Sequence, residues 1–192
     1  MPMPRNLGRD LIPPIHRLYD PDDSMDFHAA RLLVLLSRCG GDKQSVEGRT
    51  KLAKLDFFVR YPQFLEIAET ELARRGEPNS PFTANGPETE APMIRYRFGP
   101  WDPRYRNYLT FLRARGLVKV TGSKVERVTL TAKGRTTAAT LASTGAFSEI
   151  VRRCDAMAGN LSEWNGTRLM ELVYELFPRQ VGAASYRSQI QA

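Results

Sequence analysis

The residues in this sequence best suited to chemistry are cationic. Arg104, Arg106 and Arg113 fall within one short stretch, with Asn107 among them, and Lys119, Lys124 and Arg127 follow closely. A guanidinium presents a planar fork of N–H donors that matches phosphate oxygens and guanine edges, and lysine adds a compact point charge. Groups spread in this way suit an extended polyanion. A second basic set, Arg49, Lys51 and Lys54, stands at the start of a predicted helix. Cations there oppose the helix macrodipole. An anion held in place, such as a nucleic-acid phosphate or an acidic partner surface, would account for them; so would ordinary solvated lysines.

Catalytic groups make no comparable pattern. Gly-x-Gly-x-x-Gly and Walker-type loops are missing from the sequence. His16 and His28 lie in or beside an N-terminal arm, a poor place for a rigid triad. Glu66, Glu69 and Glu71 share one helix, and Glu171 and Glu175 form an i,i+4 pair; such spacing points to a solvated face or helix salt bridges. Cys39 and Cys154 lack metal-ligand spacing and are expected to be reduced, buried thiols. The expectation is a protein without enzymatic activity, with no cofactor and no metal of its own.

The elements that must position the cations can be read from sequence. Arg95 to Phe98 reads as a strand and Gly99-Pro100 as a turn. Asp102 and Pro103 read as the cap and first residue of a helix that runs to about Arg115, where Gly116 ends it. Tyr105, Tyr108, Leu109 and Leu112 make the apolar face of this helix, which leaves Arg106, Asn107, Thr110 and Arg113 on its other sides. Leu117–Thr121, a Gly122-Ser123 turn and Val125–Leu130 form a hairpin, and Thr131 caps a further helix to about Ser143. Strand, helix, hairpin and helix in that order are the second half of a winged helix-turn-helix. In that fold a helix faces the major groove and a basic wing faces the backbone. A winged helix used only for protein contact is the alternative.

The rest of the chain is assigned in order. Residues 1–23, rich in Pro, Arg and Asp, are an extended arm. A winged helix-turn-helix core spans 24–145. It opens with a helix over about Asp26 to Arg38, capped by Asp23 or Ser24 and stopped by Gly40-Gly41, and a polar loop covers 42–48. Thr50 caps the next helix, which places Leu52, Leu55 and Val59 inward and ends at Pro62. A third helix runs from about Gln63 to Arg75. Residues 76–92 form an inserted loop, and Met93 to Phe98 would complete the sheet of the wing. A C-terminal helical extension covers 146–180, with Arg152 and Arg153 on an outward side, and 181–192 is a polar tail. The fold class is therefore mainly α with a small β wing, a winged helix-turn-helix extended by C-terminal amphipathic helices.

The totals agree with a globular protein. The chain has 192 residues, 42% hydrophobic and 26% charged, with a net charge of +7. A basic balance favours a polyanionic partner, though weakly by itself. The start, Met1-Pro2-Met3-Pro4-Arg5, has no apolar leader, and the longest apolar run, Leu32–Leu36, is too short to span a membrane. A cytoplasmic location without membrane contact is expected.

Two segments, Gly48–Pro62 (GRTKLAKLDFFVRYP) and Tyr96–Tyr105 (YRFGPWDPRY), together resemble the middle component of bacterial ABC-three-component systems. This is the small winged-helix subunit found between an SMC-like ABC ATPase and an effector in Lamassu-type defence against phages and plasmids. Val128–Gly134 and Leu172–Pro178 are similar in character, so the resemblance covers roughly residues 25–180 and leaves out the N-terminal arm and the 76–92 loop. It implies a non-catalytic adaptor that bridges the ATPase to an effector, such as a nuclease, and contacts double-stranded DNA. ATP and magnesium would belong to the ATPase partner. A freestanding winged-helix transcription regulator and an antitoxin-like, protein-binding winged helix remain as alternatives.

Overall fold

A computed structural model gives the fold of residues 24–85, 93–96, 99–182 and 187–190. The N-terminal arm, 1–23, lies outside the described residues. The first helix, α1 (Met25–Cys39), is capped by Ser24, whose hydroxyl accepts from the Phe27 amide. Ala29 and Leu32–Leu36 are buried, and α1 is the central rod against which most other elements pack.

Next comes β1 (Ser45–Glu47), within a stretch expected to be loop. It pairs antiparallel with β5 (Arg127–Leu130), which also pairs with β4 (Val118–Thr121), so the sheet order is β1-β5-β4. Val46, Val118, Val128 and Leu130 turn inward, while Glu47, Lys119 and Arg127 are exposed. Three residues with one apolar position are too short to show period-two alternation, which is why β1 was not evident in the sequence. The segment expected to complete the wing's sheet, Met93 to Phe98, is described only over 93–96, and that part does not join β1-β5-β4. Instead β2 (Ile94–Tyr96) pairs with β3 (Gly99–Trp101) in a separate two-stranded ladder.

Two further helices follow β1: α2 (Arg49–Arg60) and α3 (Pro62–Arg74). Thr50 does not cap α2. The N-cap is Gly48, at φ +87°, whose amide donates to the Glu126 carbonyl at 2.7 Å. The ladder therefore continues to the edge of the helix, and a left-handed residue makes the turn into it. Pro62 begins α3, at a position where its missing N–H costs nothing. The segment after α3 is held by carboxylates read as a solvated face: Glu69 accepts from the Ser80 amide at 2.7 Å and Glu66 from the Ala84 amide at 3.1 Å. Residues 86–92 are outside the described part.

Helix α4 (Tyr105–Ala114) starts two residues later than expected. Asp102 still serves its N-terminus: its side chain accepts from the Arg104 amide at 2.8 Å and its carbonyl from the Tyr105 amide. After the hairpin, Thr131 caps α5 (Ala132–Ala142). Helices α6 (Ser148–Met157) and α7 (Gly166–Leu176) follow, and their buried residues Ile150, Cys154, Leu169 and Val173 belong to the same core as α1 and α2. Arg153, expected outward, is buried and donates to the Val59 carbonyl at 2.9 Å. Part of the tail is also structured. The Ile190 amide donates to the Met93 carbonyl, Gln189 bridges Ile94, and Val181 and Ile190 are buried.

Through this core runs a chain of charge. Asp56 on α2, fully buried, accepts from Arg31 Nε on α1 at 2.7 Å, from Arg60 Nε at 3.2 Å and from the Tyr105 hydroxyl at 2.5 Å. Arg60 also donates to Asp102 at 2.8 Å, and Asp102 accepts from Arg104 Nη2 at 3.0 Å. Burial works against ionisation of Asp56, but the charges of Arg31 and Arg60 hold its carboxyl below the usual range. The Asp56→Ala substitution leaves two guanidinium groups underground without their shared anion. It should lower stability by about 3–5 kcal/mol, read as a shift in the urea unfolding midpoint.

Candidate nucleic-acid interface

The exposed side of α4 is set by what its other side must bury. Tyr105, Tyr108, Leu109 and Leu112 are in the core, which turns Arg106, Asn107, Thr110 and Arg113 to solvent. The orientation is locked at the N-terminal end. Tyr105 is bonded to Asp56, the Tyr108 hydroxyl lies 3.4 Å from Asp102, and the Tyr108 ring packs on His28 with centroids 4.9 Å apart. At the C-terminal end Gly116 takes φ +68° and sends the chain into β4.

The expected site residues separate into three groups. Arg106, Asn107, Arg113, Lys119 and Lys124 are exposed on α4 and the hairpin. Arg49, Arg104 and Arg127 are engaged by carboxylates. Arg49 grips Glu126 with two nitrogens, one of them Nη2 to Oε1 at 2.6 Å. Arg127 meets Glu47 across the ladder, and Arg104 lies half-buried against Asp102. Hydrogen bonds from Arg49 hold the Glu126 carboxyl below the usual range despite some burial, with help from the charges of Arg49 and Arg113.

Lys51 and Lys54 depart from the expectation. Lys51 is half-buried, and burial lowers its pKa. It lines an open groove of about 570 Å³ with Thr50, Val125, Trp164 and Met170. Lys54 is only 1% exposed, so it does not join the surface cations. Its ammonium donates to the Pro100 carbonyl at 3.2 Å, and its stem packs against Gly99, where a Cβ would stand 3.2 Å from Lys54 Cε. Lys54 thus supports the turn that leads into α4. The helical spacing of Leu52, Leu55 and Val59 gave one inward stripe, but α2 is packed between α1, α7 and β3, which widens its buried face to include Lys54.

The distribution of charge was not evident from the total. Between Pro103 and Ser148 there are nine Lys and Arg and a single acid, Glu126. That segment carries +8 in a chain whose total is +7, so the other residues are close to neutral as a set. It comprises α4, the hairpin and α5, all contiguous in space. Lys133 at the start of α5 donates to the Arg115 carbonyl at 3.0 Å and brings its charge to the end of α4. Summed over a face, such charges attract polyanions and speed encounter with them.

No family model, characterised protein or solved structure matches this chain. Chemistry elsewhere is sparse: among the described residues no group of His, Cys, Asp and Glu is placed to hold a metal ion, and no helix is long and apolar enough to cross a membrane. Cys39 and Cys154, distant in sequence, meet in the core, where the Cys39 thiol donates to the Cys154 carbonyl at 3.4 Å. The neighbouring thiol and burial both push the Cys154 pKa well up, which makes it a poor nucleophile.

Burial brings the Lys54 pKa down to about 7. A lysine in the unfolded chain keeps its proton to about pH 10, so between these values the unfolded chain binds more protons and stability rises with pH. In Lys54→Met that rise should shrink by on the order of 2–4 kcal/mol, measured from urea midpoints at pH 7 and pH 9.5.

Proposed function

We propose that this protein is a non-catalytic winged-helix subunit that binds double-stranded DNA through α4 and the β4–β5 hairpin. The observation that carries this reading is the concentration of +8 in the segment that forms α4, the hairpin and α5, with one carboxylate among nine cations. The order of elements supports it. Helix α1, strand β1, helices α2 and α4, then β4 and β5 in a sheet ordered β1-β5-β4, follow the connectivity of a winged helix-turn-helix, with α3 and the β2–β3 ladder inserted between its second and third helices. In that arrangement α4 takes the place of the helix presented to the major groove, and Arg106 and Asn107 stand near its N-terminal end, where such helices meet base edges.

The wider setting proposed is an assembly with an SMC-like ABC ATPase and an effector in defence against phages or plasmids. Its support is the resemblance of Gly48–Pro62, which forms α2, and of Tyr96–Tyr105, which leads into α4. ATP and magnesium belong to the ATPase in this reading. Purification of the tagged protein from its host should recover that ATPase. Recovery of a homodimer alone would favour the freestanding regulator, and footprinting on its own promoter would then show a protected two-fold site.

Four to six neutralised phosphates would give a log–log salt dependence of duplex affinity with a slope of about −4 to −5. Replacing Arg106 and Arg113 together by Ala should make that slope shallower by about two, read by fluorescence anisotropy over a KCl series. An unchanged slope would remove both residues from the DNA surface.

A further inference from the structure

Glu126 is the sole acidic residue from Pro103 to Ser148, and it is placed within the basic face. Its carboxylate spans the fork of Arg49: Nε meets Oε2 and Nη2 meets Oε1. The charge of Arg113 on α4 also favours the ionised form of this carboxylate. Arg49 comes from the first turn of α2 and Glu126 from the hairpin, so the ion pair joins these two elements. An arginine fork accepts a phosphate in the same bidentate geometry that it offers a carboxylate. Both partners of this ion pair reach solvent, with side chains 40% and 28% exposed for Arg49 and Glu126. A partly exposed pair of this kind is held weakly, and its exchange requires no opening of the core. The Gly48 amide bond to the Glu126 carbonyl keeps the backbone in register whatever the side chain does.

We propose that the Arg49 fork is a phosphodiester-binding site in which Glu126 stands in the place of the phosphate. This rests on the DNA-binding reading above and adds a mechanism to it. On binding, a backbone phosphate of the duplex takes the Arg49 fork, and the Glu126 carboxylate swings away into solvent. Glu126 thereby sets a threshold. It lowers the affinity of the basic face for any polyanion, and only a ligand that delivers a phosphate to this corner while engaging α4 recovers the cost.

The test is a double-mutant cycle on the full chain with a duplex DNA probe, by anisotropy at fixed salt, with circular dichroism to verify the fold of each variant. Glu126→Gln keeps the shape and hydrogen-bonding capacity of the side chain and removes its charge. It should tighten binding roughly three- to tenfold. The gain should vanish when Arg49→Ala is already present, because no fork is then left to release. A gain that persists without Arg49 reflects net charge alone and overturns the proposal, as does unchanged or weaker binding by Glu126→Gln. If neither the native protein nor the variant binds duplex, the DNA-binding reading itself fails and takes this site with it; binding by the native protein without the Arg49-dependent gain overturns the site only.

Discussion

The fold depends on two buried aspartates that hold three helices by their charges. Asp56 on α2 receives Arg31 from α1 and Tyr105 from α4, and Arg60 passes the connection on to Asp102 at the head of α4. A buried ion pair gives little net stability over a hydrophobic replacement of the same shape, because desolvation offsets most of the attraction. Its effect here is geometric. Each hydrogen bond has a direction, and together they exclude alternative rotations of α4 that an apolar face alone would tolerate. The face presenting Arg106, Asn107 and Arg113 is therefore oriented by contacts made on the opposite side of the same helix.

Most of the helices were legible in the sequence, and for physical reasons. Ser24, Thr131 and Gly116 act as caps and stops where their local chemistry said they would. The apolar spacing of Tyr105, Tyr108, Leu109 and Leu112 found the inward face of α4 correctly. What escaped were features made by partners distant in sequence. Strand β1 exists because β5 offers an edge, and its three residues carry no pattern of their own. Lys54, Glu69 and Arg153 look like surface residues by type, yet packing from a second side buries each of them. The Arg31–Asp56–Arg60–Asp102 chain left one visible trace, an arginine in the middle of the most apolar helix.

The candidate site was only half legible for a related reason. Residue type reveals a cation but not whether a carboxylate already occupies it. Of the residues expected to meet nucleic acid, those on the outward side of α4 and near the hairpin turn are exposed, whereas Arg49, Arg104 and Arg127 have acidic partners contributed by other parts of the chain or by a close neighbour. The basic face therefore has an internal gradient, with open charge on the helix and tempered charge where β5 leaves the hairpin turn. Such a gradient favours approach by way of α4.

The pairing of 187–190 with β2 has a kinetic meaning. Arg95 exchanges backbone hydrogen bonds with Arg187 and Ser188, and the Tyr61 hydroxyl reaches both Met93 and Ile190. The contacts of Arg95 and Tyr61 with the 187–190 segment join residues more than ninety apart in a chain of 192. Loop closure over such distances is slow compared with forming α1, α2 and the hairpin. The docking of 187–190 against β2 is thus a late step, whereas the β2–β3 ladder itself closes over a few residues, and β3 runs straight into the head of α4. A chain caught before that closure would already carry the basic face on a helix oriented by Asp56 and Asp102, with β2 still lacking its tail partner.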